Sequence, residues 1–250
     1  MPAPPPVTTT VLVMSTIINC STVYAHMSPH DAVNAARDDG YAAVEFWWPF
    51  DLAVPAPDEV SAFCDLFDDS LGLYAMNLWG GDMAAGQRGV LDTDGLPAGH
   101  LEAVSQIASA TGLKCSNVLL GRSGELTDLQ VQRLTEITAQ LGLSGVRALI
   151  EPLSGMSDYP ITDPWQAEEL AQQTGASVLA DFYHFAANGV DVDAWLTDVE
   201  AGRVSLPAHV QIADFPGRGA PGTGEVPLRS WVERLRAAGY AGEVAGEWTL

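Results

Sequence analysis

Positive charge is what this chain has least of. Across 250 residues it carries 11 Lys plus Arg against 32 Asp plus Glu, a formal net charge of −21. A nucleic-acid binder neutralises phosphates with clustered Lys and Arg, so no nucleic-acid partner is expected. Attraction to an anionic lipid surface is disfavoured for the same reason. Long apolar runs are missing too. Val11–Ile18 falls far short of the roughly 20 residues a membrane-spanning helix needs, so no membrane partner is expected. Cysteine is scarce: Cys20, Cys64 and Cys115 are odd in number, far apart, and form no CxxC pair. A reducing, cytoplasmic setting with inert thiols is the simplest reading. The opening MPAPPPVTTT has neither a basic residue nor an apolar stretch. It reads as a short flexible leader over 1–10 rather than a secretion signal. A single catalytic domain is expected over 11–250.

What is present is apolar and periodic. Hydrophobic residues make up 47% of the chain, enough for a sizeable core. Short apolar runs read as strands at Val11–Asn19, Ala42–Trp47, Leu73–Leu78, Cys115–Leu120, Val146–Leu153, Ser177–Asp181, Ala208–Ala213 and Gly242–Trp248. Helical stretches separate them. Ser28 precedes Pro29 as a cap before a first-turn proline, and Gly40 closes that helix. Asp163-Pro164-Trp165-Gln166 reads as a capping box. Leu228, Trp231, Val232 and Leu235 form a stripe at i, i+3, i+4 and i+7 that ends at Gly239. Eight strands alternating with helices specify an α/β fold with parallel strands.

A closed (β/α)8 TIM barrel is favoured over an open sheet. No GxGxxG follows the first strand, so the dinucleotide-binding fold lacks its fingerprint. Polar residues also recur at strand ends: Glu45, Asn77, Glu151, Asp181, Gln211 and Glu247. The last four are separated by 30, 30 and 36 residues, about one βα unit each, and closure of a barrel would bring them to one mouth. The sequence stops just past the eighth strand. A truncated or missing last helix is therefore expected, and a homo-oligomer contact or the leader would cover the closing face.

The chemistry follows from those ends. Ala148-Leu149-Ile150-Glu151 and Val178-Leu179-Ala180-Asp181 are apolar runs that stop abruptly in a carboxylate, and Ala245-Gly246-Glu247 ends the last strand. His209 and Gln211 share one strand face. One glutamate at a strand end is commonly a solvated loop residue. Three acids and an amide in successive βα units are costly to gather unless they hold a cation. Such oxygen donors suit Mg2+ or Mn2+. His184 lies three residues past Asp181, and Arg218 sits in the turn Asp214-Phe215-Pro216-Gly217-Arg218.

These residues resemble the hydroxypyruvate isomerase family of xylose isomerase-like TIM barrels. The resemblance rests on Asn19-Cys20-Ser21, Ala43-Val44-Glu45-Phe46 with Pro49, Ile150-Glu151-Pro152-Leu153, Asp181-Phe182-Tyr183-His184 and His209-Val210-Gln211-Ile212-Ala213-Asp214. Its most specific part continues through Pro216-Gly217-Arg218 to Pro221-Gly222-Thr223-Gly224-Glu225. It implies a metal held by Glu151, Asp181, Gln211 and Glu247, an acid–base pair of Glu151 and Glu247, and substrate oxygens contacted by His184 and Arg218. It also implies interconversion of hydroxypyruvate and tartronate semialdehyde through an enediolate. The segments Gly89–His100 and Ser154–Pro160 differ from the family pattern. An acidic protein needs a local cation for a carboxylate substrate. Arg218 is the first candidate and Arg88 the second. Trp47, Trp48 and Trp79 at strand ends would suit a larger keto-sugar, which leaves an epimerase or isomerase of such a sugar as the alternative. A non-catalytic sugar-binding barrel is a third reading. A relative of this fold cleaves damaged DNA with clustered histidines and zinc. His26, His30, His100, His184 and His209 do not make that cluster, and the net charge opposes DNA.

Overall fold

A computed structural model describes residues 14–250. Its eight parallel strands close into a barrel in chain order: β1 Ile17–Asn19, β2 Ala43–Phe46, β3 Gly72–Asn77, β4 Cys115–Asn117, β5 Arg147–Ile150, β6 Ser177–Asp181, β7 His209–Ile212 and β8 Val244–Gly246. Nine helices are described: α1 Cys20–Val23, α2 Pro29–Asp38, α3 Pro57–Cys64, α4 His100–Thr111, α5 Asp128–Leu143, α6 Pro164–Thr174, α7 Phe182–Ala187, α8 Val192–Glu200 and α9 Leu228–Ala237. The expected leader and the first residues of the expected strand Val11–Asn19 lie outside the described residues. No helix follows β8 among the described residues. None of the described helices is long and apolar enough to cross a membrane.

Local chemistry fixes the helix ends. Ser28 accepts from the Asp31 N–H with Pro29 in the first turn, and Gly40 then takes φ +87°, a left-handed angle that glycine adopts without strain. Asp163 caps α6 by accepting from the Gln166 N–H. The expected reciprocal bond lands one residue earlier, where the Thr162 N–H donates to Gln166 Oε1 (2.9 Å). Leu228, Trp231 and Leu235 bury the inner face of α9. They join Phe182, Phe185 and Trp195 under α7 and α8, where rings meet edge to face at 5.3 Å. Each such side chain removed from water contributes about 1.5–3 kcal/mol.

Most observed strands are shorter than the apolar runs that announce them, while β3 and β6 keep the expected length. The run Val146–Leu153 yields only Arg147–Ile150, yet Leu153 beyond it is buried. Hydrophobicity continues into loops packed over the barrel mouth, so Glu151 and Glu247 stand one residue past the ends of β5 and β8. That places them on the C-terminal rim, where barrels of this kind carry their chemistry.

Candidate active site

Asp181 is both the last residue of β6 and the N-cap of α7. Its Oδ1 accepts from the N–H groups of Tyr183 (2.7 Å) and His184 (3.4 Å). Its Oδ2 is buried without a hydrogen-bond partner and lies 3.6 Å from both His184 Nε2 and Arg218 Nη2. The strand–helix junction thus ties down one oxygen and aims the other inward.

The neighbouring strand supplies Gln211, which pairs in register with Asp181. The Gln211 amide donates from Nε2 to Glu45 Oε2 (2.7 Å). Gln211 Oε1 is left buried without a partner. Glu45 also touches His209 Nε2. Just past β8, the strand beside β7, Glu247 Oε1 accepts from Trp47 Nε1 (3.2 Å) and faces Arg218 Nη2 (3.1 Å). Glu151 Oε2 accepts from Asn117 Nδ2 (2.7 Å), and Glu151 Oε1 lies 3.7 Å from His184 Nε2. Glu151, His184, Gln211, Arg218 and Glu247 all line one cavity of about 190 Å³.

Burial and crowding set the proton affinities. Burial holds Glu151 well above the ordinary carboxylate range, and the charges of Glu247 and Asp181 add to it. Burial pushes Glu247 up to about 8 against the opposing charge of Arg218. His184 is pushed down to about 4, chiefly by burial, so its ring is neutral near pH 7. The Ser154 N–H donates to His184 Nδ1 (3.0 Å). A neutral imidazole that accepts at Nδ1 carries its proton on Nε2. Glu151, Asp181 and His184 offer atoms within 4.8 Å of one another, but this tautomer makes His184 a hydrogen-bond donor in the site rather than a cation ligand.

Glu151, Gln211 and Glu247 line the cavity, Asp181 lies behind its His184 and Arg218 wall, and Asp181 Oδ2 and Gln211 Oε1 are left without partners. That donor set fits a hard divalent cation. The barrel brings together all six residues singled out from the sequence: Glu151, Asp181, His184, Gln211, Arg218 and Glu247. Asn117, Ser154 and His209 complete the site without having been assigned a role from sequence. Glu45 was legible only as a polar strand end. Its pairing with Gln211 spans 166 positions, and no local signal announces it.

A second cavity of about 420 Å³ adjoins the first. The two share Trp47, Asn77, Met83 and Leu119 as walls, and Trp48, Phe50 and Trp79 line the larger one.

Fold and rim together define a barrel with an acid–base cluster at its C-terminal mouth. The family described as Xylose isomerase-like TIM barrel matches residues 33–249, and this chain belongs to that family. A Streptomyces coelicolor protein provisionally named hydroxypyruvate isomerase is 30% identical, over 92% of this chain and 89% of its own length. A 2-oxo-tetronate isomerase of Pectobacterium atrosepticum is 25% identical, over 92% of this chain and 90% of its own length. The crystal structure of a Brucella melitensis protein named AP endonuclease, family 2, superposes with a TM-score of 0.79 at 23% identity, covering 94% of this chain and 93% of that one. At that identity the likeness carries the fold alone.

Proposed function

We propose that this chain is an isomerase that moves a proton between adjacent carbons of a small hydroxy-carbonyl acid, interconverting hydroxypyruvate and tartronate semialdehyde. The observation that supports this reading best is that Glu151, Gln211 and Glu247 line one cavity while Asp181 Oδ2 lies 3.6 Å from His184 and Arg218 of its wall, with Asp181 Oδ2 and Gln211 Oε1 buried and unpartnered. The relatives' names, hydroxypyruvate isomerase and 2-oxo-tetronate isomerase, agree in naming 2-oxo acids.

In this reading Glu151, Asp181, Gln211 and Glu247 hold Mg2+ or Mn2+, which supplies charge stabilisation for the substrate's two neighbouring oxygens when bound. One of Glu151 and Glu247 removes the proton from C3 of hydroxypyruvate, and the electron pair moves to give the enediolate. The other returns a proton to C2, and the proton of the C3 hydroxyl passes to the C2 oxygen, leaving an aldehyde at C3 and a hydroxyl at C2. The pair stands just past β5 and β8, three strands apart around the rim, which suits groups acting on two sides of a flat intermediate. His184 Nε2–H and the Arg218 guanidinium donate to substrate oxygens. Leucine and tryptophan side chains around the cavity exclude water.

The larger aromatic cavity favours a second reading, isomerisation or epimerisation of a larger keto-sugar. Proton NMR in D2O, with Mn2+-loaded protein and separate samples of hydroxypyruvate, dihydroxyacetone and free ketoses, separates the readings. Loss of the C3 proton signal of hydroxypyruvate with growth of tartronate semialdehyde is expected. Exchange confined to the ketoses favours the second reading. Binding without any exchange would leave a sugar-binding barrel.

A further inference from the structure

The two arginines of the cavity differ in what already occupies them. Arg218 already faces two carboxylates of the protein. Its Nη2 lies 3.1 Å from Glu247 Oε1 and 3.6 Å from Asp181 Oδ2, its Nε donates to the Glu247 carbonyl (3.2 Å), and only 20% of its side chain is exposed. A guanidinium between two carboxylates has little net field left to offer a third. Arg88 lines the same cavity and, among the described residues, has no carboxylate within 4 Å. Its Nη1 donates to two neutral carbonyls, Met83 O (3.1 Å) and Gln87 O (2.7 Å). Nε and Nη2 of that fork make no hydrogen bond among the described residues.

Arg88 is also held in place. Its carbonyl accepts from the Gly121 N–H (2.8 Å), and the adjoining Gly89 N–H donates to Gly80 O (2.9 Å). Gly89 sits at φ +100°, and a Cβ there would fall 2.1 Å from Leu119 O. The loop after β3 is thus clamped against the loop after β4, with the arginine at the clamp. Ordering a long side chain costs binding energy, and here the backbone and one nitrogen are ordered before any ligand arrives. A net charge of −21 and three carboxylates near the mouth oppose an anion unless a cation receives it.

We propose that Arg88, not Arg218, receives the substrate's carboxylate, so the site selects short 2-oxo or 2-hydroxy acids with the acid end toward the β3 loop and the reacting carbons toward Glu151 and Glu247. This rests on the isomerase reading for the identity of the substrate, but recognition of the carboxylate is separable from turnover. Arg218 then serves the reacting end, as a cation beside Glu247.

The test is calorimetric titration of Mn2+-loaded protein with tartronate, an unreactive hydroxy-diacid, and with dihydroxyacetone, a neutral hydroxy-ketone, using Arg88→Gln and Arg88→Lys beside the parent. Arg88→Gln is expected to weaken tartronate binding roughly 10- to 100-fold, as for loss of one charge-assisted pair, and to leave dihydroxyacetone within about twofold. Arg88→Lys is expected to restore part of the loss, since a point charge lacks the fork. Unchanged tartronate affinity in Arg88→Gln overturns the proposal. So does equal loss of both ligands, which would mark Arg88 as a loop brace, and so does failure of the parent to bind tartronate. Tartronate binding that depends on Arg88 without any proton exchange on hydroxypyruvate would uphold this proposal while removing the isomerase reading.

Discussion

The bond from Gln211 Nε2 to Glu45 Oε2, 2.7 Å long, decides which end of the Gln211 amide faces the site. An amide is a donor at one end and an acceptor at the other. With the nitrogen spent on Glu45, the oxygen is presented to the cluster of acids. Groups that orient a ligand in this way commonly contribute 10–100-fold to metal affinity. Glu45→Gln is therefore expected to weaken Mn2+ binding by about that range, read by calorimetry on chelated protein, with little change in far-UV dichroism. Unaltered Mn2+ affinity would mean the amide needs no such anchor.

Glu151→Gln and Glu247→Gln test the acid–base pair. Each replacement keeps the shape and the Asn117 or Trp47 contact in altered form while removing the proton-transfer group. A positioned acid or base contributes about 10²–10⁴-fold, so kcat for hydroxypyruvate is expected to fall by at least 10² in either variant. Near-normal turnover in both would sink the assignment. Asp181→Asn is expected to weaken metal binding, because the cap to Tyr183 survives as an amide oxygen but the inward charge is lost. Gln211→His should retain a cation and shift its preference toward softer metals.

Metal and pH are coupled in a direction the buried acids determine. Glu247, pushed up to about 8 from an ordinary 4.5 by burial, and Glu151, raised for the same reason, hold protons that the unfolded chain releases. Their contribution to stability is full at low pH and is lost as pH rises toward 8. His184, pushed down to about 4 from 6.5 by burial, acts oppositely. The unfolded chain takes up that proton between pH 4 and 6.5, so the His184 contribution rises there and opposes the falling contribution of the carboxylates. The window from 6.5 to 8 belongs to the carboxylates. In EDTA, Tm is expected to fall across it, and Mn2+ should flatten the slope by favouring the ionised forms. Mn2+ or Mg2+ should also raise Tm more than Zn2+, as expected for a ligand of the folded state. A Tm in EDTA that climbs from pH 6.5 to 8 would contradict this account.

Asp214 organises the loop that carries Arg218. Buried after β7, it accepts from the N–H groups of Phe215 (2.9 Å), Gly222 (2.7 Å) and Val226 (3.3 Å). Arg218 within that loop sits at φ +54°, a region few non-glycine residues adopt. Asp214→Ala would strand three donors, at about 1–3 kcal/mol for each buried one. A lower Tm and a lower kcat are expected together, measured by thermal melts and initial rates. Full activity at reduced Tm would show that Arg218 keeps its place without the loop's anchor.

Much of this was legible in the residues. Ser177–Asp181 reads as a strand with an acid at its end and is one. The four rim residues keep a spacing that only a repeated βα unit explains. What escaped is tertiary. Strand ends were overextended where Leu153 and Leu119 remain buried after leaving the ladder, because hydrophobicity reports burial and not hydrogen bonding. The tautomer of His184 depends on the Ser154 N–H, 30 residues earlier. The difference between Arg88 and Arg218 depends on which carboxylates lie near each, and sequence gives no measure of that.

The smaller cavity is built from two halves of the barrel. The four rim residues proposed to hold the cation come from β5 to β8, whereas Arg88, Trp79, Met83 and Leu119 come from loops after β3 and β4, and Trp47 from the loop after β2. A descendant could exchange the early loops and acquire a new diet without disturbing the late strands. Met83, an unbranched and adaptable side chain in the wall common to both cavities, is where the first such change would be felt.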